Sequence, residues 1–62
     1  MGVLVREARI RAGLSQAKLA MPYLTRAYVS AVELGKISPS LKSLSHMATK
    51  ASVSLRSLIP DG

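Results

Sequence analysis

Apolar residues recur along the chain at intervals of three or four positions, in segments separated by glycine, proline or serine. Side chains at this spacing share one face of an α-helix, so the pattern predicts helices rather than strands. Segments 3–12, 16–21 and 26–34 are predicted as the first three helices. A fourth is predicted over the repeat Leu41, Leu44, Met47, Ala48 and Ala51, and a short fifth over Leu55, Leu58 and Ile59.

Residues with special backbone preferences mark the ends of these helices. Gly13 and Gly35 are predicted stops, because glycine tolerates the positive φ that often follows a last turn. Pro22 and Pro60 bar continuation, since a proline inside a helix removes a backbone donor. Pro39 is expected in the first turn of the fourth helix, where its missing N–H costs nothing. The predicted N-caps are Ser15, Thr25 and Ser54.

Length and composition fit one domain over residues 1–62, with Asp61 and Gly62 as a tail. The apolar fraction of 48% suffices for a core, but Tyr23 and Tyr28 are the only Phe, Trp or Tyr residues, so aliphatic side chains must build it. The chain has no cysteine, which fits a reducing cytoplasm. Its apolar stretches are too short to cross a membrane or to act as a signal peptide, so we expect a cytoplasmic protein.

The charge balance points to a polyanionic partner. Nine Lys and Arg residues against three acids give a net charge of +6 and an isoelectric point near 10.6. So strong a basic bias in a small domain favours binding to nucleic acid.

Candidate catalytic and metal sites are lacking in the sequence. His46 is the only histidine, and it is expected on a solvated outer face of the fourth helix with Lys42 and Lys50. Serine-histidine-aspartate chemistry would need His46 to meet Asp61 in the tail. We therefore expect no enzyme activity, no metal and no cofactor, and no small-molecule ligand is evident.

Two stretches of the sequence carry a family resemblance. LVREARIRAGLSQAKLA and LTRAYVSAVELGKISPSLKSL resemble the lambda-repressor-like, or Cro-type, helix-turn-helix DNA-binding domains, and the resemblance covers roughly residues 5–59. It implies an all-α, five-helix domain in which helices two and three form the helix-turn-helix, at about residues 15–35. The turn over residues 21–24 lacks the family's usual glycine, and Ser52 stands where a helix-ending glycine is usual.

The third helix is expected to read DNA with a small, sparsely polar face. At about 100° per residue, Val29 and Val32 point inward and the opposite face carries Ala27, Ser30, Ala31 and Leu34, flanked by Arg26 and Tyr28. Small residues let a helix lie deep in a major groove, alanine methyls can contact thymine methyls, and Arg26 can pair with a guanine edge. Alternatively, Ala27 and Ala31 are only good helix formers on a solvated face.

Contacts to the DNA backbone are expected around this helix. The resemblance implies that Gln16, in the first turn of the second helix, contacts a phosphate; the alternative is an exposed helix-forming glutamine. Lys36 can reach a phosphate from the following loop or remain solvated. The Tyr28 hydroxyl can contact phosphate or base, or its ring can pack against the second helix, and Thr25 is more surely a cap than a contact.

The resemblance also assigns a structural role to two charged residues. In the family an arginine at the position of Arg9 pairs with a glutamate near the end of the third helix, here Glu33. We therefore expect an ion pair between the first and third helices.

These features predict a sequence-specific, repressor-like transcription regulator that binds double-stranded DNA. The resemblance leaves open a homodimer on a twofold-symmetric operator, for which the last helix offers the spare apolar surface. The alternative function is a protein-interaction or antitoxin-like module with the same fold, favoured by the sparsely polar face and exposed Leu34. A basic peptide lying on a membrane surface suits the charge but not five capped segments.

Overall fold

The structure is a computed structural model that describes residues 1–60, so the predicted tail lies outside the described residues. Four α-helices and one 3₁₀ helix follow one another without a strand in the described part of the chain. They are α1 (Gly2–Arg11), α2 (Gln16–Ala20), α3 (Arg26–Glu33), α4 (Leu41–Lys50) and the 3₁₀ helix (Leu55–Leu58). The all-α prediction is confirmed, with the fifth helix of the 3₁₀ type.

The 3₁₀ geometry follows from the short space between Ser54 and Pro60. The N–H of Ser57 donates to the carbonyl of Ser54 at 3.0 Å, and that of Ile59 to Arg56 at 3.2 Å. These bonds to the third preceding residue are typical of 3₁₀ turns, which rarely extend beyond three or four residues. Ser54 occupies the N-cap position, as predicted, but its side chain makes no cap hydrogen bond to the backbone.

Helix α1 lies one residue earlier than predicted and α3 ends one residue earlier, and the end of α2 and the start of α4 differ from the pattern for identifiable physical reasons. Helix α2 stops at Ala20 because Met21 precedes a proline and adopts an extended conformation, with ψ of 147°. Helix α4 begins after Ser40, whose hydroxyl accepts from the N–H of Ser43 at 3.1 Å. Pro39 thus lies before the cap and not in the first turn.

Three helices end in a residue with positive φ, followed by a backbone hydrogen bond that closes the last turn. The residues are Gly13 (71°), Gly35 (75°) and Ser52 (58°). The two glycine stops are as predicted. Ser52 occupies the same conformation without being a glycine, at a typical cost of about 1 kcal/mol. The structure therefore keeps the helix-ending turn of α4 despite the departure from the family pattern.

One buried cluster forms the core and is entirely aliphatic. Its members come from every helix: Val5, Leu19, Ala20, Val29, Val32, Leu44, Met47, Ala48, Ala51 and Leu58. Other apolar residues that share the helical repeats lie exposed, among them Val3, Ile10, Leu41 and Ile59. Within residues 1–60, no helix has the length and apolarity needed to cross a membrane.

Helix α1 lies unusually close to the end of α3. A Cβ atom added at Gly2 would sit 2.5 Å from the carbonyl oxygen of Val32 and 2.6 Å from that of Glu33. Both neighbours are backbone atoms, which cannot move aside as a flexible side chain can. The glycine therefore permits the contact between these two helices, and the hydrophobic pattern contains no signal of it.

Candidate nucleic-acid interface

The helix-turn-helix unit is built from two capped helices joined by a short turn. The Ser15 hydroxyl accepts from the N–H of Lys18 at the start of α2, and the Thr25 hydroxyl accepts from the N–H of Tyr28 at the start of α3, each at 3.0 Å. Between them, the N–H of Leu24 donates to the carbonyl of Ala20 at 2.8 Å. Capping satisfies N–H groups that have no partner inside a helix, so both helices have defined first turns.

The exposed face of α3 is small and free of accessible acid. Val29 and Val32 are 0% and 1% exposed, and they anchor the opposite side of the helix in the core. Arg26 and Ala27 are exposed, and Ser30 and Ala31 are half-buried. The side chain of Glu33, the one acidic residue of α3, is only 4% exposed. An anionic surface can therefore approach this face without meeting a carboxylate.

Three further predicted contact residues lie around this face. Tyr28 is half-buried, with its ring packed against the core cluster. Thr25 is exposed and its hydroxyl serves as the cap of α3. Lys36 is exposed directly after α3, where its backbone N–H donates to the carbonyl of Ala31 at 2.9 Å. Thr25 and Lys36 therefore lie exposed before and after α3, with Tyr28 between them in the sequence.

A network of charged and polar groups joins α1, α2 and α3. The guanidinium of Arg9 donates twice to the Glu33 carboxylate, from Nε at 2.7 Å and from Nη2 at 3.2 Å. Its Nη1 donates to the carbonyl of Leu14 at 3.0 Å. The Gln16 amide donates to Oε1 of Glu33 at 3.1 Å. The structure thus brings together Arg9 and Glu33, and it adds Gln16 to them.

The position of Gln16 limits what its side chain can offer to DNA. A glutamine amide has two N–H donors and a carbonyl acceptor, and one donor is used by Glu33. The residue is half-buried, so the expectation of a merely exposed helix former does not describe it. One N–H remains for a phosphate.

The expectation that His46 lies on a solvated face is wrong. Its side chain is half-buried, Nε2 lies 3.1 Å from the carbonyl oxygen of Leu19, and its ring meets that of Tyr23 edge-on with centroids 5.5 Å apart. The spacing of four residues does align His46 with Lys42 and Lys50 along α4. The turn after α2 covers this stripe at its middle, which a pattern confined to α4 does not reveal.

Within residues 1–60, no cluster of His, Cys, Asp or Glu is placed to hold a metal ion. Sequence reasoning missed the polar contacts between elements distant in sequence, in particular the Gln16–Glu33 and His46–Leu19 hydrogen bonds.

Comparison with known proteins defines the class. Residues 5–58 match the sequence model of the helix-turn-helix family, and the chain belongs to that family, in its lambda-repressor-like or Cro-type form. Among solved structures, the chain is similar to the restriction-modification controller protein C.AhdI from Aeromonas hydrophila. The two are 39% identical, with a TM-score of 0.87 over 94% of this chain and 86% of that chain. No curated protein matches the sequence. Family and neighbour together support DNA-binding transcription regulation.

Removing the charge of the buried Glu33 carboxylate, in the variant Glu33→Gln, should destabilise the fold. We expect this variant to lose about 3 to 5 kcal/mol of unfolding free energy, because it leaves the Arg9 guanidinium largely buried without its counter-charge. Glu7→Gln removes the same charge from an exposed position of α1 and should change stability by less than about 0.5 kcal/mol. Urea denaturation of both variants measures the difference.

Arg9→Lys provides a second measurement in case Glu33→Gln does not fold. Lysine keeps the charge but lacks the planar fork that meets both carboxylate oxygens, so a smaller loss is expected. Equal stabilities of Glu33→Gln and Glu7→Gln would show that the ion pair does not hold the helices together.

Proposed function

We propose that this chain is a repressor-like transcription regulator that binds a specific double-stranded DNA sequence with α3 in the major groove. The observation that carries the proposal is the exposed face of α3: small residues, no accessible acid, and Arg26 at its first turn. Two buried valines fix the opposite side of the same helix. The protein acts by binding, without catalysis.

The residues that contact base edges lie in the first two turns of α3. The Arg26 guanidinium is exposed, and its fork matches the O6 and N7 acceptors of a guanine. The methyl groups of Ala27 and Ala31 suit contact with thymine methyls, while the Ser30 hydroxyl can accept or donate. Tyr28 flanks this face with its ring packed against the core, and its hydroxyl is the group that would contact backbone or base.

Backbone contacts position the protein without selecting a sequence. Gln16 retains one amide N–H after its bond to Glu33, and Lys36 adds a cation just beyond α3. Phosphate contacts of this kind fix register on the duplex but carry no sequence information directly. Thr25 contributes by capping α3, which holds Arg26 at the start of the helix.

A twofold-symmetric operator bound by two copies extends this proposal. Helix-turn-helix dimers place their reading helices about 34 Å apart, one turn of the duplex. Exposed Met1 and Ile59 border one groove beside the 3₁₀ helix and offer apolar surface to a second copy. Leu58 is buried and does not contribute, which leaves this surface smaller than the sequence pattern indicates.

A protein-interaction or antitoxin-like module is the second candidate. It is favoured by the exposure of Leu34, Ile37 and Leu41, which are 67%, 40% and 65% exposed around the loop after α3. Single exposed apolar residues are normal on protein surfaces, so this observation has less weight than the uniformly non-acidic face of α3.

The proposal predicts strong salt dependence of duplex binding. Neutralising two or more phosphates releases their counterions, so raising the salt from about 50 to about 200 mM should weaken affinity about tenfold or more. Fluorescence anisotropy with labelled duplexes measures this. Affinity that does not change with salt, or no binding at low salt, would contradict DNA binding and favour the protein-interaction module.

Residues that contact bases and residues that contact the DNA backbone should have different effects on binding when each is replaced by alanine. Arg26→Ala should cost about 1 to 3 kcal/mol on the preferred duplex and relax selectivity at one base position. Lys36→Ala should weaken all sequences alike and lower the salt slope by about one unit. Gln16→Ala should weaken all sequences with little change of slope, because glutamine is neutral.

The matched control for these variants is Lys50→Ala, which removes an exposed cation from the end of α4, outside the helix-turn-helix. It should leave base selectivity unchanged. If Arg26→Ala keeps full selectivity while Gln16→Ala or Lys50→Ala abolishes it, α3 is not the helix that contacts the bases.

A further inference from the structure

The carbonyl of Leu19 needs a donor that its own helix cannot supply. Leu19 is 1% exposed and lies in the last turn of α2, where carbonyls have no partner within the helix. If the α-helix continued, this carbonyl would accept from the N–H of Tyr23, but Met21 is extended and ends the helix. The neighbouring carbonyls of Ala17 and Ala20 accept from the N–H groups of Met21 and Leu24, but within residues 1–60 no backbone N–H donates to the carbonyl of Leu19.

His46 supplies this donor from α4. Its Nε2 lies 3.1 Å from the Leu19 carbonyl oxygen. Because a carbonyl only accepts, Nε2 must carry the hydrogen, which fixes the ring orientation. The edge-on contact with Tyr23 places the same ring against the turn that precedes α3.

We infer that His46 is a positioning residue that fixes the turn between α2 and α3 on α4 and so sets the orientation of the reading helix. The inference rests on the proposed function where it concerns DNA. The end of the turn is held by Leu24, which packs against the core, whereas Met21, Pro22 and Tyr23 are all exposed, and Tyr23 is 83% exposed. Thr25, the cap of α3, follows Tyr23 by two residues.

Loss of this hydrogen bond affects specific binding more than general attraction to DNA. Without a donor, the buried Leu19 carbonyl has no hydrogen-bond partner, and the turn can lower its free energy by opening so that water hydrates this carbonyl. The fraction of molecules with α3 correctly oriented then falls, and apparent affinity falls by the same factor. Attraction to phosphates depends on charge, so it is much less sensitive to helix orientation.

The test compares His46→Leu, which removes the donor, with His46→Gln, which keeps an N–H at a similar reach. His46→Leu should lower the ratio of affinities for preferred and random duplexes about tenfold, the factor typical of a buried acceptor that loses its donor. His46→Gln should restore most of that ratio. Ser45→Leu, at the adjacent exposed position of α4, is the control and should leave the ratio unchanged. All variants are compared at a temperature where circular dichroism shows them folded.

Amide hydrogen exchange tests the same inference without DNA. His46→Leu should speed exchange of the Leu24 amide, which closes the turn, more than that of the core amide of Val32. If folded His46→Leu exchanges the Leu24 amide at the wild-type rate, the inference is wrong. It is also wrong if the wild type prefers one duplex and the variant keeps a ratio of preferred to random affinity within about twofold of the wild-type ratio. If His46→Leu speeds Leu24 exchange but the wild type shows no preference for any DNA sequence, the proposed function is contradicted. The role of His46 in holding the turn is then still supported.

Discussion

Glu33 places a carboxylate that is 4% exposed at the end of α3, and the arrangement of three helices depends on how its charge is satisfied. Arg9 meets both oxygens from α1, and Gln16 donates from α2. Burying an unpaired charge costs several kcal/mol, whereas the completed network leaves no buried side-chain polar atom without a partner in residues 1–60. The carboxylate therefore enforces one relative placement of α1, α2 and α3.

This constraint has unusual weight because the core is small and aliphatic. A domain of this length buries only about 60% of its unfolded surface, and no large aromatic ring fills the interior here. Aliphatic packing favours burial but selects orientation weakly. Directional hydrogen bonds at Glu33 and Leu19, together with the close backbone contact at Gly2, supply the orientation that packing does not.

Local chemistry made most of the fold predictable. Ser15 and Thr25 cap their helices, the two predicted glycines end theirs, and Val29 and Val32 face inward, as the sequence indicated. Hydroxyl caps, glycine stops and helical spacing depend on neighbours within a few residues, which a sequence displays directly. The pairing of Arg9 with Glu33 was expected only through the family resemblance.

The remaining features depend on groups far apart in sequence. Gln16 and Glu33 are 17 residues apart, and His46 is 27 residues from Leu19. The pattern of α4 assigns His46 to a solvated stripe because it does not include the turn packed over that stripe. The 3₁₀ form of the last helix could be predicted from the sequence, because only a few residues separate its cap from Pro60.

The proposed function depends on α3, which Glu33 holds on one side and the two valines hold in the core, so that a small face with Arg26 in its first turn is left exposed. Its central claim is that this face selects a sequence rather than only attracting phosphate. The most direct measurement is selection of bound duplexes from a random pool, followed by sequencing. The account predicts enrichment of one short motif, with a guanine at the position that Arg26 contacts. Retention of duplexes with no enriched motif would contradict it.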